Sequence, residues 1–394
     1  MDAPLILRPT NATELAEAIA DATRSGARLE ICGGGSKATM GAPRDATRLD
    51  MTGFAGVIDY DPPELVLTVG AGTPLSQVRA LVSGQDQMLA FEPFDHGPIF
   101  GRPAGAATIG GVIASGVAGS RRVSRGAARD HLLGFKAVSG RAEAFVGGAK
   151  VVKNVTGYDL PKLMTGSWGR LAALTEVTLK VLPRPRTEAS WGIEGLDAGQ
   201  AQAVMARVMG SQAEISAAAH APATSERRIA MTVLRIEGFG PSVAARGQMI
   251  EALLLPLGGA RLLPPDVAMA FWNDLHTLAP LADDRPLWRI NTPPSAGGAV
   301  LERLEGMAPR WLMDWAGGLI WMTAEGDPAL VRAAAEGAGG HAALVRAPED
   351  LRRQVPAPHP QAPGVAALEA RVRRAFDPAG VFETGRFLDL AHAD

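Results

Sequence analysis

The sequence predicts a mixed α+β fold in more than one domain, on three observations. The chain has 394 residues, beyond the roughly 100–200 residues of an ordinary domain. Its N-terminal part alternates short β-like runs with capped helical patterns. The proline-rich break "LPRPR", Leu182 to Arg186, then separates this part from a second β and α alternation. Apolar residues make up 47% and charged residues 20%, with no long polar tract, so the chain should fold throughout.

In chain order, "LIL" (5–7) and "ARLEI" (27–31) read as strands around a helix that Asn11 caps, with Glu14 three residues on and Gly26 as its stop. "TRLDM", "GVIDYD" and "LVLTVGAG" are three further β-like runs. "TPLSQVRALV" reads as a helix with Thr73 as N-cap and Pro74 at its first position. From Ala90 to Ser124 the pattern dissolves into Gly, Ala, Pro and Ser, a loop long enough to suggest that it lines a ligand. "LLGFKAV", "AEAFVGG" and "LTEVTLKV" restore strands, with His131, just before the first, expected inside a strand-like run as a packed core histidine. Beyond the break come "DAGQAQAVMARVMG", "MTVLRIEGFG", "PSVAARGQMIEALLLPLGG" and "FWNDLH". "RWLMDWAGGLIWM" reads as a closing core strand, its tryptophans alternatively forming an aromatic wall or a subunit contact. Pro348 to Pro363 reads as a surface connection, and "GVAALEARVRRAFDPAG" as a last helix halted by Pro378. The expected divisions are 1–185, 186–365 and a C-terminal segment 366–394 that returns to the first.

The formal net charge of −2 gives no overall field that would favour nucleic acid or an anionic membrane. Cys32 is the only cysteine, so no internal disulfide or cysteine-held cluster can form within this chain. The seven histidines lack metal-binding spacing, and no metal is expected. No secretion signal and no long apolar run is visible, so the expected location is cytoplasmic, with the inner face of the cell membrane reached only through partners.

Two glycine-rich blocks carry the chemistry. "GGGSK", Gly33 to Lys37, lacks Cβ atoms where backbone N–H groups can converge on an anion, so it reads as a diphosphate cradle or as a tight turn. It has neither the P-loop nor the dinucleotide GxGxxG spacing. "ATIGGVIASGVAGS" adds Thr108 and Ser115 hydroxyls, exposed N–H groups and little bulk, suited to a long flat ligand.

These blocks, with "LTVGAGTPLSQV", "RGAARDHLLGFKAV" and "LMTGSWGRLAALTEVTLKVLPRP", resemble in order and spacing the FAD-binding domain of the vanillyl-alcohol-oxidase superfamily over residues 1–185. "KNVTGYDLPKL", "DWAGG" and "FDPAGVFETGR" narrow the resemblance to the FAD-binding E subunits of bacterial glycolate oxidase. The resemblance implies a two-subdomain PCMH-type FAD module followed by a smaller α+β cap domain. It implies that Gly33, Gly34, Gly35, Ser36 and Lys37 wrap the FAD pyrophosphate, and that Thr108, Ile109, Gly110 and Gly111 line the flavin side. Ser115 and Gly116 would contact the diphosphate or ribityl chain, and Glu176 and Val177 would offer backbone to the adenine end. Relatives attach flavin covalently through a histidine near the first loop or a cysteine near the second. Gly35 stands in the histidine place, so noncovalent FAD is expected.

Oxidation of a 2-hydroxy acid needs a cation for the carboxylate and a base for the hydroxyl proton. Arg186, Arg289 and Arg386 are candidates for the first by residue type alone. His96, beside Asp95 in "EPFDHGP", is the weak catalytic candidate. The "GEHGxG"-like segment of related D-lactate and D-2-hydroxyglutarate dehydrogenases is absent. The resemblance therefore implies a FAD-binding subunit of a glycolate dehydrogenase complex, with a second flavin subunit as the substrate site and an iron–sulfur subunit receiving electrons. A self-sufficient 2-hydroxy-acid dehydrogenase and a structural subunit with a vestigial flavin site are the alternatives.

Overall fold

The computed structural model describes residues 5–149, 157–225 and 227–387, in two compact units. Unit one comprises residues up to Ala118, Gly126–Arg184 and the C-terminal segment from Pro360, while unit two comprises Gly119–Arg125 and Pro185–His359. The short excursion 119–125 thus belongs with unit two, although it follows the second glycine block directly. Residues 153–156 of the "KNVTGYDLPKL" motif lie outside the described residues.

Unit one opens with strand β1 (Ile6–Leu7), helix α1 (Ala12–Ser25), β2 (Leu29–Cys32) and β3 (Thr47–Asp50). The three strands form a parallel sheet in the order β1-β3-β2. Asn11 caps α1 as its sequence requires, its side chain accepting from the Glu14 N–H, and Gly26 ends the helix in the left-handed region at φ 73°. Leu15, Ile19 and Ala22 fall on one face of α1 and bury against Leu29, Leu49, Val138, Val381 and Phe382.

The second sheet is built from β4 (Val57–Asp61), β5 (Val66–Gly70), β6 (Leu132–Ser139), β7 (Ala144–Gly148) and β8 (Ala172–Lys180). It is antiparallel in the order β4-β5-β8-β6-β7. Helix α2 (Leu75–Ser83) starts one residue later than expected, because Thr73 does not cap it. The Thr73 hydroxyl instead donates to the Gly70 carbonyl and accepts from the Gly56 N–H, at 2.7 and 2.9 Å. The stretch 90–124 is also not wholly a loop, since it contains helix α3 (Ile109–Ser115), capped by Thr108. His131 is fully buried, at the end of a short helix rather than within a strand, with its ring 5.3 Å from that of Phe91.

Unit two holds one eight-stranded antiparallel sheet. Its strands are β9 (Thr187–Glu194), β10 (Ala217–Ala221), β11 (Met231–Gly238), β12 (Arg261–Leu262), β13 (Leu287–Asn291), β14 (Arg310–Asp314), β15 (Leu319–Thr323) and β16 (His341–Arg346). The order is β12-β9-β11-β10-β14-β15-β13-β16. One face carries the core, where Trp191, Leu234, Trp288, Ile290, Met313 and Met322 meet the apolar stripes of helices Ala198–Met209, Gly240–Leu254, Gly297–Leu304 and Pro328–Glu336.

The run "RWLMDWAGGLIWM" forms a hairpin, β14 and β15, instead of a single strand. Trp315, Ala316 and Gly317 all have positive φ, at 53°, 55° and 102°, which reverses the chain at "DWAGG". Local bonds hold this costly turn, with Asp314 Oδ1 accepting from the Trp315 N–H and the Trp315 indole N–H donating to the Gly119 carbonyl. The proline-rich connection 348–363 likewise contains a short helix, Glu349–Gln354.

The terminal helix Pro363–Phe376 ends at Asp377, and the chain then turns back into the α1 core. The buried Asp377 carboxylate makes that turn by accepting from the N–H groups of Val381 and Phe382, at 2.9 and 2.8 Å. Replacing it with Ala leaves two buried donors unpaired, so Asp377→Ala should lower unfolding stability by about 2–4 kcal/mol in urea titration. An exposed control such as Glu17→Ala should change it by less than about 0.5 kcal/mol.

Candidate functional site

The loop that leaves β2 runs through Gly33, Gly34 and Gly35 into Ser36 and Lys37, and it forms one wall of a cleft in unit one. The opposite wall comes from α3 through Thr108, Gly110, Gly111, Ala114 and Ser115, and Trp168 with Gly169 contributes a further side.

Contact with the protein's own backbone explains the glycines of the first loop. A Cβ on Gly34 would stand 1.8 Å from the Ala106 carbonyl oxygen, and one on Gly33 would stand 2.2 Å from the Thr108 hydroxyl. Side chains are thus excluded here by the close approach of the two loops, before any ligand is considered. Gly35 is different, since its φ of 78° needs the left-handed region while a Cβ there would meet nothing closer than 3.8 Å.

The first loop also presents unspent donors. The N–H groups of Gly34, Gly35, Ser36 and Lys37 donate to no partner among the described residues. Lys37 is buried at 8% exposure, and its ammonium has neither hydrogen bond nor ion pair among those residues. Burial pushes its pKa down from 10.5 to about 8, opposed by the charge of Asp95. Clustered backbone donors beside a buried cation that makes no ion pair fit a diphosphate. They therefore fit the pyrophosphate of FAD.

The second loop behaves otherwise than its composition suggests. Its N–H groups are not exposed: Ile109 donates to the Thr73 carbonyl, Gly110 to the Ala71 carbonyl and Gly111 to the Thr108 hydroxyl, at 2.9, 2.8 and 3.3 Å. Ser115 also spends its hydroxyl, on the Gly111 carbonyl 2.6 Å away. This wall therefore offers surface and shape, while the first loop offers charge and donors.

The remaining expected residues are scattered. Ile109 is fully buried behind the wall, and Gly116 is the left-handed cap of α3, at φ 66°, outside the lining. Glu176 and Val177 lie within β8, which pairs with β5 on one side and β6 on the other, so their backbone serves the sheet and not the cleft. The Glu176 carboxylate pairs with Lys136 at 2.9 Å. His96 is buried, stacks on Phe94 at 4.7 Å and does not line the cleft. Its neighbour Asp95 holds the loop, accepting from the N–H groups of Gly97 and Gly105 at 2.8 and 2.7 Å.

Arg386, Trp168 and Glu30 line the cleft without having been expected there as cofactor-binding residues. Arg386 donates through its guanidinium to the Lys37 and Met40 carbonyls, and its own carbonyl accepts from the Ala42 N–H at 2.9 Å. It thus ties the C-terminal segment to the cradle loop and does not wait for a carboxylate. Glu30 is engaged by Arg44. The signal for Arg386 lay in "FETGR", which sequence reasoning could value only by residue type. Cys32 lines the cleft too, but burial raises its thiol pKa, which disfavours the nucleophilic thiolate.

Residues 3–146 match a family model described as "FAD binding domain". The chain is 33% identical to glycolate oxidase subunit GlcE of Escherichia coli (strain K12), over 94% of each chain. It is 32% identical to glycolate oxidase subunit GlcD of Bacillus subtilis (strain 168), over 46% of this chain and 36% of that one. Among solved structures, p-cresol methylhydroxylase with substrate bound superposes with a TM-score of 0.72 at 12% identity, covering 97% of this chain and 88% of that chain. The last likeness establishes a shared fold.

Two outcomes check the cradle. Gly34→Ala should lose FAD and destabilise the unit, because its Cβ meets a backbone oxygen that cannot rotate away. Gly35→Ala should cost only about 1–2 kcal/mol, the left-handed penalty. Equal retention of FAD by both variants, read from absorbance after gel filtration, would remove the distinction. For Lys37, a pKa lowered in the folded state means that stability is present above the unfolded value and lost as pH falls through the folded one. FAD-free protein should therefore gain stability between pH 8 and 10.5, on the order of 3 kcal/mol. Lys37→Met should flatten that part of a denaturation–pH profile.

Proposed function

Because the chain belongs to the glycolate oxidase E-subunit family and carries an FAD-binding domain, we propose that it holds FAD noncovalently in the unit-one cleft. In this reading it serves as the FAD-binding subunit of a complex that oxidises glycolate, a 2-hydroxy acid, to glyoxylate. The observation that carries the reading is the set of N–H groups from Gly34 to Lys37 that are unspent among the described residues, beside a Lys37 ammonium that makes no ion pair among them. Gly33, Gly34, Gly35, Ser36 and Lys37 hold the pyrophosphate, and Thr108, Gly110, Gly111, Ala114 and Ser115 shape the opposite wall. FAD, when bound, supplies a two-electron acceptor for the α-hydrogen of the acid.

The chain's own residues supply binding and shape more evidently than proton transfer. Oxidation also releases the hydroxyl proton, and a positioned base normally contributes about 10²–10⁴-fold. In the cleft lining, Glu30 is committed to Arg44, and His96 is not among the lining residues. We therefore place substrate oxidation in a second flavin subunit and assign onward electron transfer to an iron–sulfur subunit. Cys32 alone cannot ligate such a cluster. Among the described residues no helix is long and apolar enough to cross a membrane.

The test compares the purified chain with the purified complex. Acid precipitation of either should release FAD into the supernatant, whereas flavin retained in the pellet would overturn the noncovalent assignment. Glycolate should bleach the flavin of the complex and support turnover with an artificial acceptor. Rapid bleaching and turnover by the isolated chain would favour the self-sufficient dehydrogenase instead. A folded chain that takes up no added FAD would favour the vestigial site.

A further inference from the structure

The face of the unit-two sheet opposite its core carries a group of polar side chains with no evident structural duty. Arg289 on β13 stands directly opposite Trp321 on β15, and Asn291, two residues along, stands opposite His341 on β16. Side chains alternate along a strand and cross-strand partners share a face, so all four project from the same side. Trp288 and Ile290, between them in sequence, enter the core on the other side.

Arg289 makes no hydrogen bond and no ion pair among the described residues. Its guanidinium packs against indoles, 5.2 Å from the Trp315 ring centre and 5.9 Å from that of Trp321. A second guanidinium, that of Arg122, lies 4.1 Å from the same Trp315 ring. The Asn291 amide oxygen is buried without a hydrogen-bond partner, and the His341 ring makes no hydrogen bond among the described residues.

A partly buried arginine normally recovers its lost hydration from a carboxylate or carbonyls. A buried amide normally finds its partners as well. Arg289 finds none among the described residues, the Asn291 amide oxygen finds none either, and the charge that acts on Arg289 is that of Arg122. Indoles stabilise a cation through their faces but leave its N–H edge unspent. That edge is a planar fork matched to a carboxylate, which accepts two parallel N–H bonds.

We propose that Arg289, Asn291 and His341, with Arg122 on the shared Trp315 indole, form a binding site in unit two for a small carboxylate. Asn291 would donate through its amide nitrogen, and the indoles would flank the ligand and exclude larger groups. Burial and then Arg122 lower Arg289 to about 10, and burial followed by Arg289 lowers His341. A bound anion relieves both. The proposal rests on the glycolate oxidase reading only for the size of the ligand.

The probe is radiolabelled oxalate, a small carboxylate with no α-hydrogen to lose, in equilibrium dialysis against the full chain saturated with FAD so that the cradle is filled. Uptake should be saturable, should fall with added salt, and should weaken about tenfold or more in Arg289→Gln, with Arg289→Lys between the two. Asn291→Asp supplies the missing carboxylate from within the protein, so it should raise the melting temperature while abolishing oxalate uptake. Unchanged uptake in Arg289→Gln would overturn the site, as would a lowered melting temperature with unchanged uptake in Asn291→Asp. Absence of saturable uptake by the folded wild-type chain would overturn it directly. Flavin absorbance of the same samples reports the cradle separately, so failure of the FAD reading and failure of this site appear as different results.

Discussion

The near contact of two loops in unit one, with the Gly34 backbone against the Ala106 carbonyl, is the constraint from which the cleft follows. It requires that Gly33 and Gly34 lack side chains, and it brings the exit of β2 beside the start of α3. Because α3 satisfies its own first N–H groups through Thr73, Ala71 and Thr108, the unspent donors gather on one wall only. A diphosphate on that wall would meet N–H groups and the Lys37 ammonium together, while the facing wall presents small side chains along which a flat ligand can lie.

The same loop is held from behind by residues distant in sequence. Arg386 donates to the Lys37 and Met40 carbonyls, and Arg44 donates to those of Ala38 and Ala42. These bonds engage the carbonyls of Lys37, Ala38, Met40 and Ala42, while the N–H groups of Gly34 to Lys37 have no partner among the described residues. Asp377, turning the chain after the terminal helix, sets where Arg386 begins its return. Arg170, paired with Glu369 and Glu383, fastens the same segment. The C-terminal segment is therefore part of the cofactor module, though nearly the whole of unit two intervenes along the chain.

Unit two solves a different problem. Its core face is a continuous apolar surface under four helices, whereas the other face of β13, β15 and β16 carries the Trp321 indole, the Arg289 guanidinium, the Asn291 amide and the His341 imidazole. Steric cost accompanies this arrangement, since Trp315 and Ala316 hold left-handed backbone that larger residues normally avoid. The turn places the Trp315 indole where both Arg122 and Arg289 can pack on it.

Local periodicity and capping made much of the fold readable in advance. Asn11 with Glu14, Gly26 as the helix stop, and the alternation in "LTEVTLKV" act over three or four residues or along one strand, where the chain needs no distant partner. The glycines of "GGGSK" marked the cradle for the same reason, because only a missing Cβ permits such an approach. Sequence reasoning failed where a residue's partner lies far along the chain. Thr73 reads as a cap until Gly56 and Gly70 claim its hydroxyl, and His96, a weak candidate base in the sequence, stacks on Phe94 and is not among the residues that line the cleft. Glu176 and Val177 lie in a strand paired on both edges, which no local pattern reveals. By itself the sequence determined those strands and helices that rest on local periodicity and capping, and it marked the glycine loop as backbone that could either meet an anion or turn tightly. Only the tertiary structure decided which donors remain unspent, because that depends on which carbonyls and hydroxyls the rest of the chain brings to meet them.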